Sequence, residues 1–90
     1  MNLLPALHVR EVSTTEGTVL LDVERGRFYG LNPTGTFVWR GLSDGRTVEE
    51  IADDLSARFA APLERIRADV VALVARLRDR GLLEAGDRSA

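Results

Sequence analysis

Ninety residues allow one domain around one modest core, and 44% hydrophobic with 29% charged residues is an ordinary balance for a globular chain. A net charge of −2 gives no overall attraction to nucleic-acid phosphates, and the absence of cysteine excludes a disulfide framework, a thiol nucleophile and a cysteine-bound metal. No run approaches the roughly 18 apolar residues of a membrane helix. Residues 1–5 lack the basic-then-apolar order of a signal peptide, so the expected location is the cytoplasm.

In chain order, residues 7–12 read as a first strand of imperfect alternation, and Thr14 to Gly17 as turn material. Residues 18–23 form the clearest strand by β-branched content. Glu24-Arg25-Gly26 is a short loop whose glycine can take the positive φ of a tight hairpin. Residues 27–31, Arg-Phe-Tyr-Gly-Leu, form a third strand. Two short connections imply an antiparallel meander, with the middle strand paired on both sides and the first and third left as open edges.

Asn32 then caps a helix that Pro33 opens, since proline has no N–H to satisfy at the first helical position. Everything before this junction is expected to be β and everything after it α. Helix one should run from Pro33 to Gly41 or Leu42, with Phe37, Val38 and Leu42 on one face and Trp39 beside them. Ser43 to Arg46 breaks it. Thr47 and Glu50 have the spacing of a capping box for helix two. Val48, Ile51, Ala52, Leu55 and Phe59 make its apolar stripe, opposite Glu49, Glu50, Asp53 and Asp54.

Ala60-Ala61-Pro62 separates helix two from helix three, whose core stripe is Ile66, Val70, Leu73, Val74 and Leu77. Gly81 should stop helix three in a left-handed cap, and Leu82 and Leu83 should fold back on the core. Residues 1–84 are thus expected to form one domain, and 85–90 a polar, disordered tail. The fold class is α+β and winged helix-turn-helix-like: an N-terminal three-stranded antiparallel β-meander packed on three C-terminal α-helices. Helix three is apolar beyond its core stripe. Ala68, Val71 and Ala75 extend one flank, while Asp69, Leu73, Arg76 and Arg80 line the other. Either flank is close packing or the wall of a groove.

Enzyme readings lack parts. His8 is the sole histidine, and one histidine without cysteine does not make the usual zinc site. Ser13, Ser43, Ser56 and Ser89 have no base at a recognisable spacing. The glycines match neither phosphate-binding pattern. No catalytic residue, metal or cofactor is expected. A winged-helix DNA-binding regulator fits the outline, with Arg65 and Arg67 near the start of helix three. The charge does not fit: Glu64 and Asp69 interrupt those arginines and helix two is acidic, whereas phosphate contacts carry much of the affinity for DNA.

Three segments, LLDVERGRFYGLNPTGTFVW, DGRTVEEIADDL and DVVALVARLRDRGLLE, resemble the PqqD-like family, also called RiPP recognition elements, after the ribosomally made, post-translationally modified peptides they serve. The likeness spans roughly residues 18–84, and YGLNPTG looks most like the stand-alone proteins of lasso peptide clusters. The resemblance implies a non-catalytic protein that binds a precursor's leader peptide as an added strand, in the cleft between strand three and helix three. The implied partners are that leader peptide, a transglutaminase-like leader peptidase and an asparagine-synthetase-like cyclase, with no nucleic acid and no membrane. A small helper subunit, its sheet edge joined to one fixed enzyme partner, is a further alternative.

The residue reading meets this independently. An unpaired strand is a liability unless covered or used, and strand addition is a common use. Four backbone hydrogen bonds at about 1 kcal/mol net each give about 4 kcal/mol, while micromolar binding needs about 8 kcal/mol. At least two apolar anchors at about 1.5–3 kcal/mol each must therefore enter pockets; leaders in the resembling family carry a tyrosine, a proline and a leucine that could serve. Candidate site residues are Arg27, Phe28, Tyr29, Gly30 and Leu31 on strand three, and Asp69, Val70, Leu73 and Arg76 on helix three. By the pleat, Tyr29 and Leu31 share one face and Phe28 and Gly30 the other. Leu31 is expected inward. A solvent-facing Phe28 beside an open edge invites a ligand, and Gly30 would let a second backbone approach. Asp69 either accepts a bond from the leader or pairs with Arg65 or Arg76. The flank of Arg67, Val71 and Ala75 is the alternative wall.

Overall fold

The computed structural model describes residues 2–86. The elements are β1 (Asn2–Pro5), β2 (Val9–Thr14), β3 (Gly17–Asp22), β4 (Arg27–Leu31), α1 (Pro33–Ser43), α2 (Val48–Phe59), α3 (Leu63–Asp79) and β5 (Leu83–Gly86). β2, β3 and β4 form the expected antiparallel meander with β3 in the centre. With the three helices it makes the expected winged-helix-like α+β fold.

Strict alternation organises the sheet. Thr18, Leu20 and Asp22 of β3 are buried on the face toward the helices, while Val19 and Leu21 are half-exposed on the other. Buried Asp22 is satisfied by the turn it starts: its Oδ1 accepts the N–H groups of Glu24 and Arg25, each at 3.0 Å. Gly26 closes that turn at φ +65°, donating its N–H to the Asp22 carbonyl at 2.8 Å.

The helix signals hold. Asn32 Oδ1 accepts the Gly35 N–H at 2.7 Å, and Pro33 is the first residue of α1. The Thr47–Glu50 capping box is closed from both sides, at 2.9 and 3.1 Å. Gly81 takes φ +74° after α3, which turns Leu82 and Leu83 back into the core. That core joins Leu20 of the sheet with Val38, Trp39 and Leu42 of α1, Ile51 and Leu55 of α2, and Leu77 of α3. The indole N–H of buried Trp39 donates to Glu11 Oε2 of β2 at 2.6 Å, so the largest core side chain keeps its polar atom paired.

Four expectations need correction. The first strand begins at Val9 rather than Leu7, because residues 6–9 form a turn closed by the Val9 N–H on the Ala6 carbonyl; Leu7 is 87% exposed. The second strand ends at Asp22, whose carboxylate starts the next turn, and this leaves Val23 outside. Phe59 does not join the core: it is the last residue of α2, followed by Ala60 in the left-handed region, and it is 58% exposed. Finally, β follows α as well as preceding it. β5 pairs antiparallel with β1, from Asn2 opposite Gly86 to Pro5 opposite Leu83. The domain therefore runs at least to Gly86, two residues past the expected boundary; residues 87–90 of the expected tail lie outside the described residues. Neither segment alternates cleanly, and each becomes a strand through the other.

Candidate functional site

β4 has β3 on one side, and its other edge is unpaired among the described strands. Tyr29 and Leu31 face the helices, opposite Leu20 and Thr18, with Tyr29 half-buried and Leu31 buried. Phe28 and Gly30 face the outer side, opposite Leu21 and Val19; Phe28 is 72% exposed, and a Cβ on Gly30 would meet open space. The pleat therefore divides the five strand candidates as the sequence indicates. Arg27, Phe28 and Gly30 are accessible, Leu31 belongs to the core, and Tyr29 stands at the border.

α3 presents three faces to its surroundings. Val70, Val74 and Leu77 are buried. A second face carries Arg67, Val71 and Ala75 toward α2. Arg67 pairs there with Glu49 at 2.9 Å, and Val71 and Ala75 line a groove with Val48 of α2. The third face carries Asp69, Leu73, Arg76 and Arg80 toward β4 and the start of α1. Arg76 Nε donates to the Tyr29 hydroxyl at a long 3.4 Å, and the Arg80 guanidinium lies 5.1 Å from the centre of the Tyr29 ring. Asp69, Val70 and Leu73 line a mainly apolar cavity of about 70 Å³ with Thr34, Val38, Leu55 and Ile66. Of the two flanks, the one with Asp69, Leu73 and Arg76 adjoins β4.

The cleft has two unlike ends, because β4 and α3 run in opposite senses along it. At one end Arg27, Phe28 and Tyr29 line a shallow cavity of about 20 Å³ with Asp22, Arg80 and Leu82. Nearby, Arg25 of the β3–β4 turn donates to the Arg80 carbonyl just past α3 at 3.2 Å, tying that turn to the helix end. Beyond the Leu31 end of β4, where α1 begins, lies the apolar cavity with Asp69, walled by α1, α2 and α3. The Asp69 carboxylate pairs with neither Arg65 nor Arg76 and has no ion-pair partner among the described residues.

Tyr29 and Arg76 are thus brought together, and so are Asp69, Val70 and Leu73. Val70 contributes from beneath, being nearly fully buried. Phe28 stands on the sheet's outer face, opposite Leu21, yet also borders the small cavity shared with Tyr29 and Arg80. The sequence does not single out Thr34, Val38, Leu55 and Ile66 as cavity walls; it places Arg80 on the same flank as Arg76 but gives no sign that it lies over Tyr29, and Thr34 carries no local signal. Among the described residues no group of His, Cys, Asp and Glu is placed to hold a metal ion, and no helix is long and apolar enough to cross a membrane.

The family described as "Coenzyme PQQ synthesis protein D (PqqD)" matches residues 17–83. Three solved structures share the fold. "Lasso peptide synthetase B1 complexed with the leader peptide" is 25% identical, with a TM-score of 0.88 over 94% of this chain and 100% of that one. "TbiB1 in Complex with the TbiA(beta) Leader Peptide" is also 25% identical, with a TM-score of 0.85 over 93% and 98%. The PqqD truncation of Methylobacterium extorquens PqqCD, described as a functional, stand-alone RiPP recognition element, is 30% identical, with a TM-score of 0.76 over 92% and 88%. No curated protein matches the chain.

Proposed function

Because this chain belongs to the PqqD family, we propose that it is a non-catalytic protein of the cytoplasm that binds the leader of a ribosomal precursor peptide. The leader adds as a strand to β4, against α3, and the protein delivers it to a leader peptidase of the transglutaminase type and to an asparagine-synthetase-like cyclase. The observation that carries this reading is the unpaired β4 edge lying beside a helix-walled cleft, in a fold shared with two proteins whose structures contain leader peptides.

The chemistry of each part suits its role. The free edge of β4 offers backbone donors and acceptors, and an added strand satisfies both partners. Antiparallel addition is preferred, as in both pairings of this sheet, since that ladder is slightly the more stable per residue. Apolar side chains on the helix side would enter the cavity of Leu73, Ile66 and Val38, supplying energy that backbone bonds alone do not reach. Side chains on the other side would lie beside Phe28 and Gly30. The DNA-binding alternative loses ground, because Arg67 is already paired with Glu49.

The test is fluorescence anisotropy with a labelled leader from the neighbouring precursor gene, repeated with single N-methyl groups along the peptide backbone. Sub-micromolar to micromolar binding, lost at every second N-methyl position, is the expected result. Binding without that two-residue period would overturn strand addition. No binding up to high micromolar by the folded monomer would overturn leader recognition in this form and favour the fixed-partner reading.

A further inference from the structure

The cleft's two ends differ in charge, and this carries a prediction about the bound peptide. Arg27 from β4, Arg76 from α3 and Arg80 at the cap that follows α3 converge around Tyr29. All three are exposed, and none has a carboxylate within ion-pairing distance among the described residues. Elsewhere, Arg46 of the α1–α2 loop and Arg67 of α3 are paired with Asp54 and Glu49, and Arg58 stacks on Phe37; Arg40, Arg65 and Arg78 also lack a carboxylate partner among the described residues, but they do not gather with a strand cation around one side chain as these three do around Tyr29. One carboxylate does line the same cavity, that of Asp22. It is buried and already committed: it accepts two backbone N–H groups of its own turn and faces Arg25 at 3.7 Å. Glu24 of that turn lies toward His8. A chain of net charge −2 thus gathers three guanidiniums with no ion pair among the described residues at one end of its cleft.

The helix dipole accounts for arginines near the end of α3, but not for Arg27 arriving from the strand. Tyr29 also holds two of the cations in place, through its hydroxyl and its ring face, so less side-chain freedom is lost when an anion binds. Guanidinium groups suit planar carboxylates. Resting on the strand-addition reading above, we infer that Arg27, Arg76 and Arg80 form a carboxylate subsite that selects leaders carrying Asp or Glu in the C-terminal half of the bound strand. The position follows from direction. An antiparallel strand runs from the Leu31 end of β4 to the Arg27 end, so it meets the apolar cavity and Asp69 first and the arginines last. A reversed peptide would bring its acids to Asp69 and be repelled.

The probe is the same labelled leader, with each Asp and Glu of its C-terminal half changed to Asn or Gln in a second peptide. Both peptides are titrated against the full chain and the double variant Arg76→Gln/Arg80→Gln at about 50 mM and about 500 mM salt, since screening weakens exposed pairs. Exposed ion pairs at up to about 1 kcal/mol each correspond to about fivefold each. The expected result is a loss of about tenfold from either change at low salt, little further loss when both are combined, and convergence of all four affinities at high salt. Moving the acids to the peptide's N-terminal half should lose as much. Arg76→Lys/Arg80→Lys should keep most of the affinity, because the charge remains. Full leader affinity in the glutamine variant would overturn the subsite while leaving strand addition intact. Equal losses in the lysine and glutamine variants, insensitive to salt, would also overturn it and reduce the arginines to supports for Tyr29. Failure of the unmodified chain to bind the leader at either salt would sink both readings together.

Discussion

The meander has two open edges, β2 and β4, and they differ in what stands beside them. β2 is the longer strand, and all its residues from Arg10 to Thr14 are exposed. Its inward side chains are tied to α1: Glu11 accepts the Trp39 indole N–H at 2.6 Å, and Ser13 meets Arg40 at 3.5 Å. β4 is shorter, but α3 runs alongside it, with a cavity bordered by the strand and, among the described residues, a carboxylate and cations without ion-pair partners. An unpaired edge supplies the same backbone bonds in either place. Pockets convert weak strand pairing into useful affinity, and at β4 one such cavity is lined by Arg27, Phe28 and Tyr29 of the strand itself together with Arg80.

The sharpest way to break this comparison is proline in each edge. Tyr29→Pro should weaken leader binding by about 100-fold, as expected when two or so backbone bonds and the register are lost. Val12→Pro should leave binding within about twofold, since β2 lies on the far side of β3 from β4. Anisotropy read beside circular dichroism, to confirm that both variants fold, checks this; equal losses would abolish the distinction between the edges. Next in size, Leu73→Ala should cost about tenfold in affinity by removing part of the apolar cavity. Val71→Ala, on the flank facing α2, should cost almost nothing in the same titration.

The opposite dissociation is expected from Glu11→Ala. It leaves the buried Trp39 N–H without its partner, so stability should fall by about 1–3 kcal/mol in chemical denaturation while leader affinity holds. The smallest effect concerns a site remote from both edges. Hydrogen bonds from Thr47, its backbone N–H first and its side chain second, hold the Glu50 carboxyl below its ordinary value of 4.5. A carboxyl depressed in the folded state adds stability above its unfolded pKa and loses it as pH falls through the folded one. Glu50→Gln should therefore flatten the acid limb of a stability–pH curve below about pH 4.5, with no change in peptide binding.

Much of this was legible because its causes are local. The hairpin glycine Gly26, the Asn32–Pro33 helix start, the Thr47–Glu50 box and the Gly81 stop each act within about four residues, and each stands where the sequence places it. The division of β4 into Tyr29 and Leu31 inward, and Phe28 and Gly30 outward, needs only the two-residue period of a strand. The cavity walls were legible only in part. Asp69 and Leu73 fall on a recognisable flank of α3, whereas Thr34, Val38 and Leu55 arrive from two other helices.

The number and kind of the central elements, the order of the meander and the open edge of β4 follow from neighbouring residues, because periodicity and capping are local. Three features arise only when distant segments pack together. β1 and β5 exist because segments 2–5 and 83–86, at opposite ends of the described chain, meet and exchange backbone hydrogen bonds that neither can make alone. Phe59 is left outside the core because α2 ends there, although its helical spacing points inward. And α3 turns its Asp69–Leu73–Arg76 flank to β4 because packing of Val70, Val74 and Leu77 fixes the helix's rotation. That rotation is a property of the whole core, and no local pattern along α3 specifies which of its two flanks adjoins the open strand.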